Sequence, residues 1–456
     1  MRDNIQLAVI GAGPAGMTAA RVAARHGVDV MLFDDHPDPG GQIYRNVERQ
    51  TLDSAILGND YAKGLLLVRA FRQGKLQYYP ESSVWYLDKS LQLGVLHQKS
   101  TQQFRAQRVI LATGAQERSV PFPGWQLPGV MTAGAGQTIL KSAGMMPAKP
   151  VVLAGSGPLL LLLAWQYLQA GVRIDAILET TPRENFRRAL RYLPAAIAAS
   201  DYLIKGWRMI RAIKRSGIPW YKSVTEMRAV GDDELNRIHF TCGGQSHHLD
   251  CSVLMVHQGV IPEIQIAQSA GCQLQWDDAQ QCWHPERDSW GESSQSGIFT
   301  VGDLGSIVGA NAAALSGQLA GLQVAFQLGA LNQKQRDKQA KSIRRQLDRH
   351  LAIRPFLDSC YRMSPQIPPD ETILCRCEEV SVAQLKRVIE SGCTGPNQAK
   401  AFTRCGMGPC QGRSCAASVE QLFASLLSKP LNEVGRFNAR PPIKPITLGQ
   451  LANSEE

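Results

Sequence analysis

Eleven cysteines occur in this chain of 456 residues, and six of them fall within 41 residues near the C-terminus: Cys375, Cys377, Cys405, Cys410 and Cys415, with Cys393 between them. The opening run MRDNIQLAVIGAG has no apolar leader segment, so thiolate ligation of a metal or cluster is expected rather than a secreted disulfide framework. The region reads Cys375-Arg-Cys377, then 32 residues, then Cys410-Gln-Gly-Arg-Ser-Cys415. Two close pairs of thiolates, brought together by a folded helical segment, can supply the four sulfurs of a 2Fe-2S cluster, two to each iron. A four-cysteine zinc site is compatible with the same spacing. The glycines of GMGPCQG would let backbone N–H groups approach cluster sulfurs. Cys405 stands outside both pairs and is expected to be a neighbour; Cys242, Cys251, Cys272, Cys282 and Cys360, scattered upstream, and Cys393 between the pairs read as ordinary thiols.

A second chemistry lies at the other end of the chain. Gly11, Gly13 and Gly16, with Pro14 and Ala15 between the last two, form G-x-G-x-x-G between a strand and a helix. A pyrophosphate can approach such a turn because no side chain intervenes, and it then rests on the helix N-terminus. Asp34 closes the next strand, where a carboxylate can accept hydrogen bonds from an adenosine ribose and repel a 2′-phosphate. A related turn recurs at Gly155-Ser-Gly157, but Leu160 takes the third glycine's place within five leucines, and Glu179 ends the strand that follows. The missing glycine makes a retained scaffold domain a better expectation there than nicotinamide binding.

Positioning these residues requires α/β architecture. A strand over Leu7–Ile10, a helix over Ala15–His26 and a strand over Asp29–Phe33 make a βαβ unit, and Val151–Leu178 repeats it. Further strands end at Ala112-Thr113-Gly114 and at Gly302-Asp303, and Gly40-Gly41-Gln42 follows Asp34 closely. A basic helix and the connector SPQIPPD separate this body from the cysteine region; from Pro441 the sequence PPIKPI and the final SEE suggest an extended tail.

Residues 5 to 330 resemble the two-dinucleotide-binding-domain flavoproteins of the thioredoxin reductase and glutathione reductase type. That resemblance implies FAD at the first turn, or another adenine nucleotide in its place. Its contacts would come from Gly11, Gly13, Pro14, Ala15, Gly16, Asp34, Gly41, Gln42, Thr113, Gly114, Gly302 and Asp303, the last binding the ribityl chain. CRCEEV, TRCGMGPCQGRSC, PPIKP and GGQIYR resemble the α subunits of heteromeric amino-acid dehydrogenases: opine oxidase, D-hydroxyproline and proline dehydrogenases, and hydrogen cyanide synthase. In that group a small helical module like bacterioferritin-associated ferredoxin carries a 2Fe-2S cluster, which implies Cys375, Cys377, Cys410 and Cys415 as ligands. It also implies an FAD-dependent, amino-acid-oxidase-like β subunit that oxidises the C–N bond, with electrons relayed through this chain. A small ferredoxin-like third subunit and a quinone or respiratory-chain acceptor complete the expected partners.

The expected domains are a split FAD-binding domain (1–116 and 260–330), a second dinucleotide-binding-like domain (117–259), a basic helix and linker (331–370), the 2Fe-2S domain (371–430) and the tail (431–456). The alternative is a self-sufficient NAD(P)H:acceptor oxidoreductase. The net charge of +10 is concentrated in Arg183–Arg215 and Lys334–Arg349; it reads as solvated or partner-facing helices, with attraction to a membrane surface as the other reading and no nucleic acid expected. The longest apolar run, Leu159–Trp165, is too short to cross a bilayer, so a cytoplasmic protein, peripherally membrane-associated at most, is expected. There is no G-x-S-x-G elbow, P-loop or H-E-x-x-H, and His247-His248 lacks spaced metal partners, which disfavours hydrolase and NTPase chemistry.

Overall fold

The computed structural model describes residues 2–364 and 366–452; Pro365 in the connector and the terminal SEE of the expected tail lie outside the described residues. The chain begins with β1 (Arg2–Ile10), a glycine turn, α1 (Pro14–Arg25) and β2 (Val30–Phe33). Proline at the first helical position suits α1, since its missing N–H would have no intrahelical acceptor there. Alanines at positions 15, 19, 20 and 23 make the buried face of α1 thin enough to lie close to the sheet. The long strand β3 (Ser100–Leu111) pairs parallel to β1 on its other side.

Register is what builds the site. Ile10 lies opposite Phe33 on one side and Leu111 on the other, so three parallel strands end level and deliver Gly11, Asp34 and Ala112 to one edge. The sheet has seven strands, extended by Gln77–Tyr79 beside β2, by the antiparallel pair Ser82–Leu87 and Gln92–His97, and by Ile298–Thr300 parallel to β3. Gly302 and Asp303 emerge at that same edge, because Thr300 is in register with Leu111.

A second, fully parallel sheet of five strands contains β4 (Val151–Ser156), followed by α2 (Pro158–Gln169), then β5 (Ile174–Glu179) and β6 (Leu254–Gln258). Its central strand β4 is buried along its whole length, the mark of a parallel sheet covered on both faces. After the strand Ile298–Thr300 has rejoined the first sheet, α3 (Ala310–Gln327) packs on α1 through small residues. A Cβ at Gly317 would stand 2.1 Å from the Ala15 carbonyl oxygen and one at Gly321 2.6 Å from that of Ala19, so only glycine permits this approach. The basic helix α4 (Gln333–Leu351) opens with a capping box between Asn332 and Gln335, and Arg336 spreads over the rings of Trp290 and Phe326.

The cysteine region has its own core. Strand β7 (Ile373–Cys375) and helices α5 (Val382–Glu390), α6 (Pro396–Thr403) and α7 (Ala416–Leu427) enclose Leu374, Leu385, Val419, Leu422, Phe423 and Phe437. The segment beyond runs back to the first sheet: Ile443 joins that sheet's core and its N–H donates to the Trp85 carbonyl at 3.0 Å, while Lys444 pairs with Asp35. No described helix is long and apolar enough to cross a membrane.

Candidate cofactor sites and the contact between them

At the first glycine turn the backbone is packed too tightly for any other residue at two of three positions. A Cβ on Gly16 would lie 1.8 Å from the Gly11 carbonyl oxygen, and one on Gly11, at φ 104°, would lie 2.5 Å from that of Ala112. Gly13 differs: nothing stands within 4 Å of its absent Cβ. The turn is therefore closed behind and open in front, the shape a pyrophosphate requires. Asp34 accepts hydrogen bonds from the N–H groups of Ala12 and His36, which fixes its carboxylate at the turn. Burial raises its pKa, opposed by those two N–H groups. The Gly40-Gly41 loop folds over the turn, with the Gly40 N–H donating to the Ala12 carbonyl at 2.8 Å and Gly41 seated against Gly13. Gly302 rests on Ala15, and one oxygen of Asp303 accepts from the N–H groups of Val308 and Gly309. Most of the sequence-derived nucleotide residues thus converge on one edge of the first sheet, and the open cradle fits a dinucleotide such as FAD.

Lys141 belongs to the same region and no motif marks it. It is 3% exposed, and its ammonium donates to the Gln42 carbonyl at 3.2 Å and to Gln137 Oε1 at 2.9 Å. Burial lowers its pKa to about 7, assisted by Arg45. Only the packing of the helix Ala133–Ala143 against the Gly40-Gly41-Gln42 loop brings it there.

The second turn keeps its two leading glycines at positive φ, with the Gly157 Cα facing the buried His257 ring. That ring is held by Glu117 Oε1 at 2.7 Å, and the other oxygen of Glu117 accepts from the Gly134 N–H at 2.8 Å. Leu160, in the third glycine's place, is buried in the core shared by both sheets. Glu179 is engaged by the Trp220 indole N–H at 2.9 Å.

The cysteines are sorted differently from their order along the chain. The sulfurs of Cys375, Cys405 and Cys415 lie within 4.8 Å of one another, all buried, whereas Cys377 faces Cys410 nearer the surface. Cys405, expected to be a bystander, is therefore part of the buried trio. Hydrogen bonds from the Cys405 and Cys415 thiols, with further help from the N–H groups of Gly406 and Glu378, hold the Cys375 thiol far below the ordinary thiol range. Gly408 is needed for the approach of Cys377, whose Cβ lies 2.2 Å from where a Gly408 Cβ would stand. Four soft thiolates divisible two and two suit the two irons of a 2Fe-2S cluster, with one pair drawn from the buried trio and the other from Cys377 and Cys410.

The loop between Cys410 and Cys415 is tied directly to the nucleotide edge. Arg413 Nε donates to Glu263 Oε1 at 2.9 Å, and the Arg413 carbonyl accepts from Gln116 Nε2 at 2.9 Å. Glu263 in turn accepts at its carbonyl from Thr113 Oγ1 at 2.9 Å, and its N–H donates to the Gly114 carbonyl at 3.0 Å. Two hydrogen-bonded steps thus separate Thr113-Gly114 from the cysteine loop.

Comparison with known proteins agrees with this layout. Residues 5–329 match the pyridine nucleotide-disulphide oxidoreductase family, and residues 371–455 match the sarcosine oxidase A3 domain. An opine oxidase subunit of Rhizobium meliloti (strain 1021) is 39% identical over 453 residues, covering 98% of each chain. Hydrogen cyanide synthase subunit HcnB of Pseudomonas aeruginosa is 32% identical, covering 99% of each. Among solved structures, L-proline dehydrogenase from P. horikoshii superposes with a TM-score of 0.70 at 20% identity, over 99% of this chain and 80% of that one. Thioredoxin reductase from T. acidophilum gives 0.53 at 17%, over 71% of this chain and 99% of that one.

Proposed function

This chain belongs with the opine oxidase subunits, within the pyridine nucleotide-disulphide oxidoreductase family, and on that premise we propose that it is the electron-transferring subunit of a heteromeric amino-acid dehydrogenase. It is an oxidoreductase subunit with a nucleotide cofactor. In the proposed assignment FAD occupies the first glycine turn against Gly11, Gly13, Pro14, Ala15, Gly16, Asp34, Gly41, Gln42, Thr113, Gly114, Gly302 and Asp303. A 2Fe-2S cluster is held by Cys375, Cys377, Cys410 and Cys415. The partner is an amino-acid-oxidase-like flavoprotein acting on an opine, D-hydroxyproline, proline or glycine type donor. A small ferredoxin-like subunit and a quinone or respiratory-chain acceptor, reached by peripheral attachment to a membrane, extend the reading. The domain limits proposed from the sequence assign the flavin to 1–116 with 260–330 and the cluster to 371–430.

The observation that carries this reading is the Thr113–Glu263–Arg413 connection, which joins the two candidate cofactor sites within one chain. When bound, a flavin supplies two-electron chemistry and a cluster supplies one-electron steps. The protein's own part is to hold both at fixed separation: Glu263 and Arg413 neutralise each other between them, and Gly11, Gly13 and Asp34 orient the nucleotide. The purified chain should release FAD on denaturation, contain two irons and two acid-labile sulfides, and oxidise no amino acid until its flavoprotein partner is added. Robust amino-acid turnover by this polypeptide alone, or zinc without iron after anaerobic purification, would sink the assignment.

A second reading, a self-sufficient NAD(P)H:acceptor oxidoreductase, draws support from the retained Gly155, Gly157 and Glu179. Rapid bleaching of the bound flavin by NADH in the isolated chain would favour it; no bleaching favours the subunit reading.

A further inference from the structure

A cavity of about 790 Å³ lies where the second sheet, the first domain and the cysteine domain meet. It opens at the carboxyl ends of β4, β5 and β6, marked by Ser156, Thr181 and Gln258, the crevice where open parallel sheets receive ligands. Helix α7 of the cysteine domain and the connector around Met363 close it from the other side. Its size is that of a small-molecule site, and Phe122, Trp276 and Trp283 give it aromatic walls.

Five arginines line it, and their charge balance is uneven. Arg228 pairs with Glu371 at 2.6 Å, Arg362 with Asp278 at 3.1 Å, Arg413 with Glu263 at 2.9 Å and Arg436 with Glu420 at 3.3 Å. Arg118 pairs with no carboxylate among the described residues. Its Nη2 donates to the Gln280 carbonyl at 2.9 Å, and its Nε is buried without any acceptor. The titratable group whose charge would bear on it is the Cys282 thiol, which burial pushes up to about 12 and so leaves neutral. Arg118 is half-buried with its Nε enclosed, and because a guanidinium cannot shed its proton to escape desolvation, the lack of a counter-charge calls for an anion. Carboxylates do line the cavity, but Glu420 is committed to Arg436 and to the Trp283 indole, and Glu226 accepts from Thr241.

We propose that this cavity is a binding site for an organic anion, a carboxylate or phosphate carried on an apolar or aromatic body, with Arg118 as its anchoring cation. Arg118 receives the anion through the fork of its guanidinium, and the aromatic walls cover the body. The site stands independently of the electron-transfer reading, since neither cofactor enters the argument.

Calorimetric titration of the flavin-loaded full chain tests it, with phenylpyruvate as the carboxylate probe, nicotinamide mononucleotide as the phosphate probe and 2-phenylethanol as the uncharged control. At least one anionic probe should bind more tightly than the control, and which of them does so identifies the anion. Arg118→Gln should weaken that probe by about tenfold or more and leave the control unchanged, with Arg118→Lys intermediate. Failure of both anions to outbind the alcohol, or equal binding by wild type and Arg118→Gln, overturns the proposal. Should Arg118→Gln not fold, Arg118→Lys decides: affinity for the anion unchanged from wild type, when a compact ammonium replaces the planar fork, counts against an anchoring Arg118.

Discussion

At the scale of single residues, the division of the cysteines is the sharpest outcome. Three sulfurs share the buried end of the site, yet in the proposed 2Fe-2S assignment one iron would take only two of them, with Cys377 and Cys410 serving the other. The proposed set leaves Cys405 out, so Cys405→Ser should keep iron, sulfide and the visible absorbance largely intact. Serine at Cys375, Cys377, Cys410 or Cys415 should each remove or severely destabilise the cluster, since a hard oxygen replaces a soft thiolate poorly. Cluster loss in Cys405→Ser with retention in Cys415→Ser would move the ligand to the third member of the trio. Lys141 carries a pH signature. Its folded pKa of about 7 lies below the ordinary lysine value of 10.5, so between those pH values the unfolded chain holds a proton that the folded chain has released. Stability should therefore rise with pH over that window and lose the slope below pH 7, where both states are protonated. Lys141→Met should flatten the rise, measured as thermal midpoint against pH; an unchanged slope would show that other groups generate it.

At the scale of elements, the two glycine turns differ in what their helices can do. In the first, glycine at position 16 lets α1 meet the backbone of Gly11; in the second, Leu160 fills that role with a buried side chain, and α2 serves the core. The first turn also separates folding from binding by position. Gly16→Ala drives a Cβ into a backbone oxygen and should destabilise the chain by about 2 kcal/mol or more as well as lower its flavin content. Gly13→Ala meets open space, with φ of −73° at the helix N-cap, so its denaturation midpoint should stay near wild type while flavin content falls. Full flavin occupancy in Gly13→Ala would mean that the pyrophosphate does not approach there.

At the scale of the whole molecule, the cysteine domain is joined to the body at several points, among them Trp125 Nε1 to the Ile373 carbonyl, Ser418 Oγ to the Ser119 carbonyl and Trp283 Nε1 to Glu420, and Glu263–Arg413 is the ion pair that links the cysteine loop to the edge of the nucleotide site. Glu263 is buried enough that desolvation raises its pKa, opposed by Arg413. Glu263→Gln keeps the shape and removes the charge, while Arg413 keeps the Ile443 carbonyl at 2.9 Å. Flavin and iron content should then be unchanged, and electron passage from flavin to cluster, followed by freeze-quench EPR, should slow severalfold. An unaltered rate would indicate that this connection is a strut only.

The glycine turn, Asp34 and the small-residue helices were legible in the sequence because their requirements are local: steric access to a phosphate and the register of adjacent strands are written in contiguous residues. Cys375 and Cys377 read as a pair for the same reason of proximity, but Cys377 lies beyond the end of β7, in a turn where Glu379 adopts φ 52°, and the chain points its thiol to Cys410. Cys405 joins Cys375 because α6 ends in a left-handed Arg404 that turns the following residue into the domain core. Lys141, the Glu117–His257 pair and the unpaired Arg118 escaped notice since each is significant only through what is packed around it. Desolvation and charge pairing depend on residues distant along the chain, and only the assembled domains bring them together.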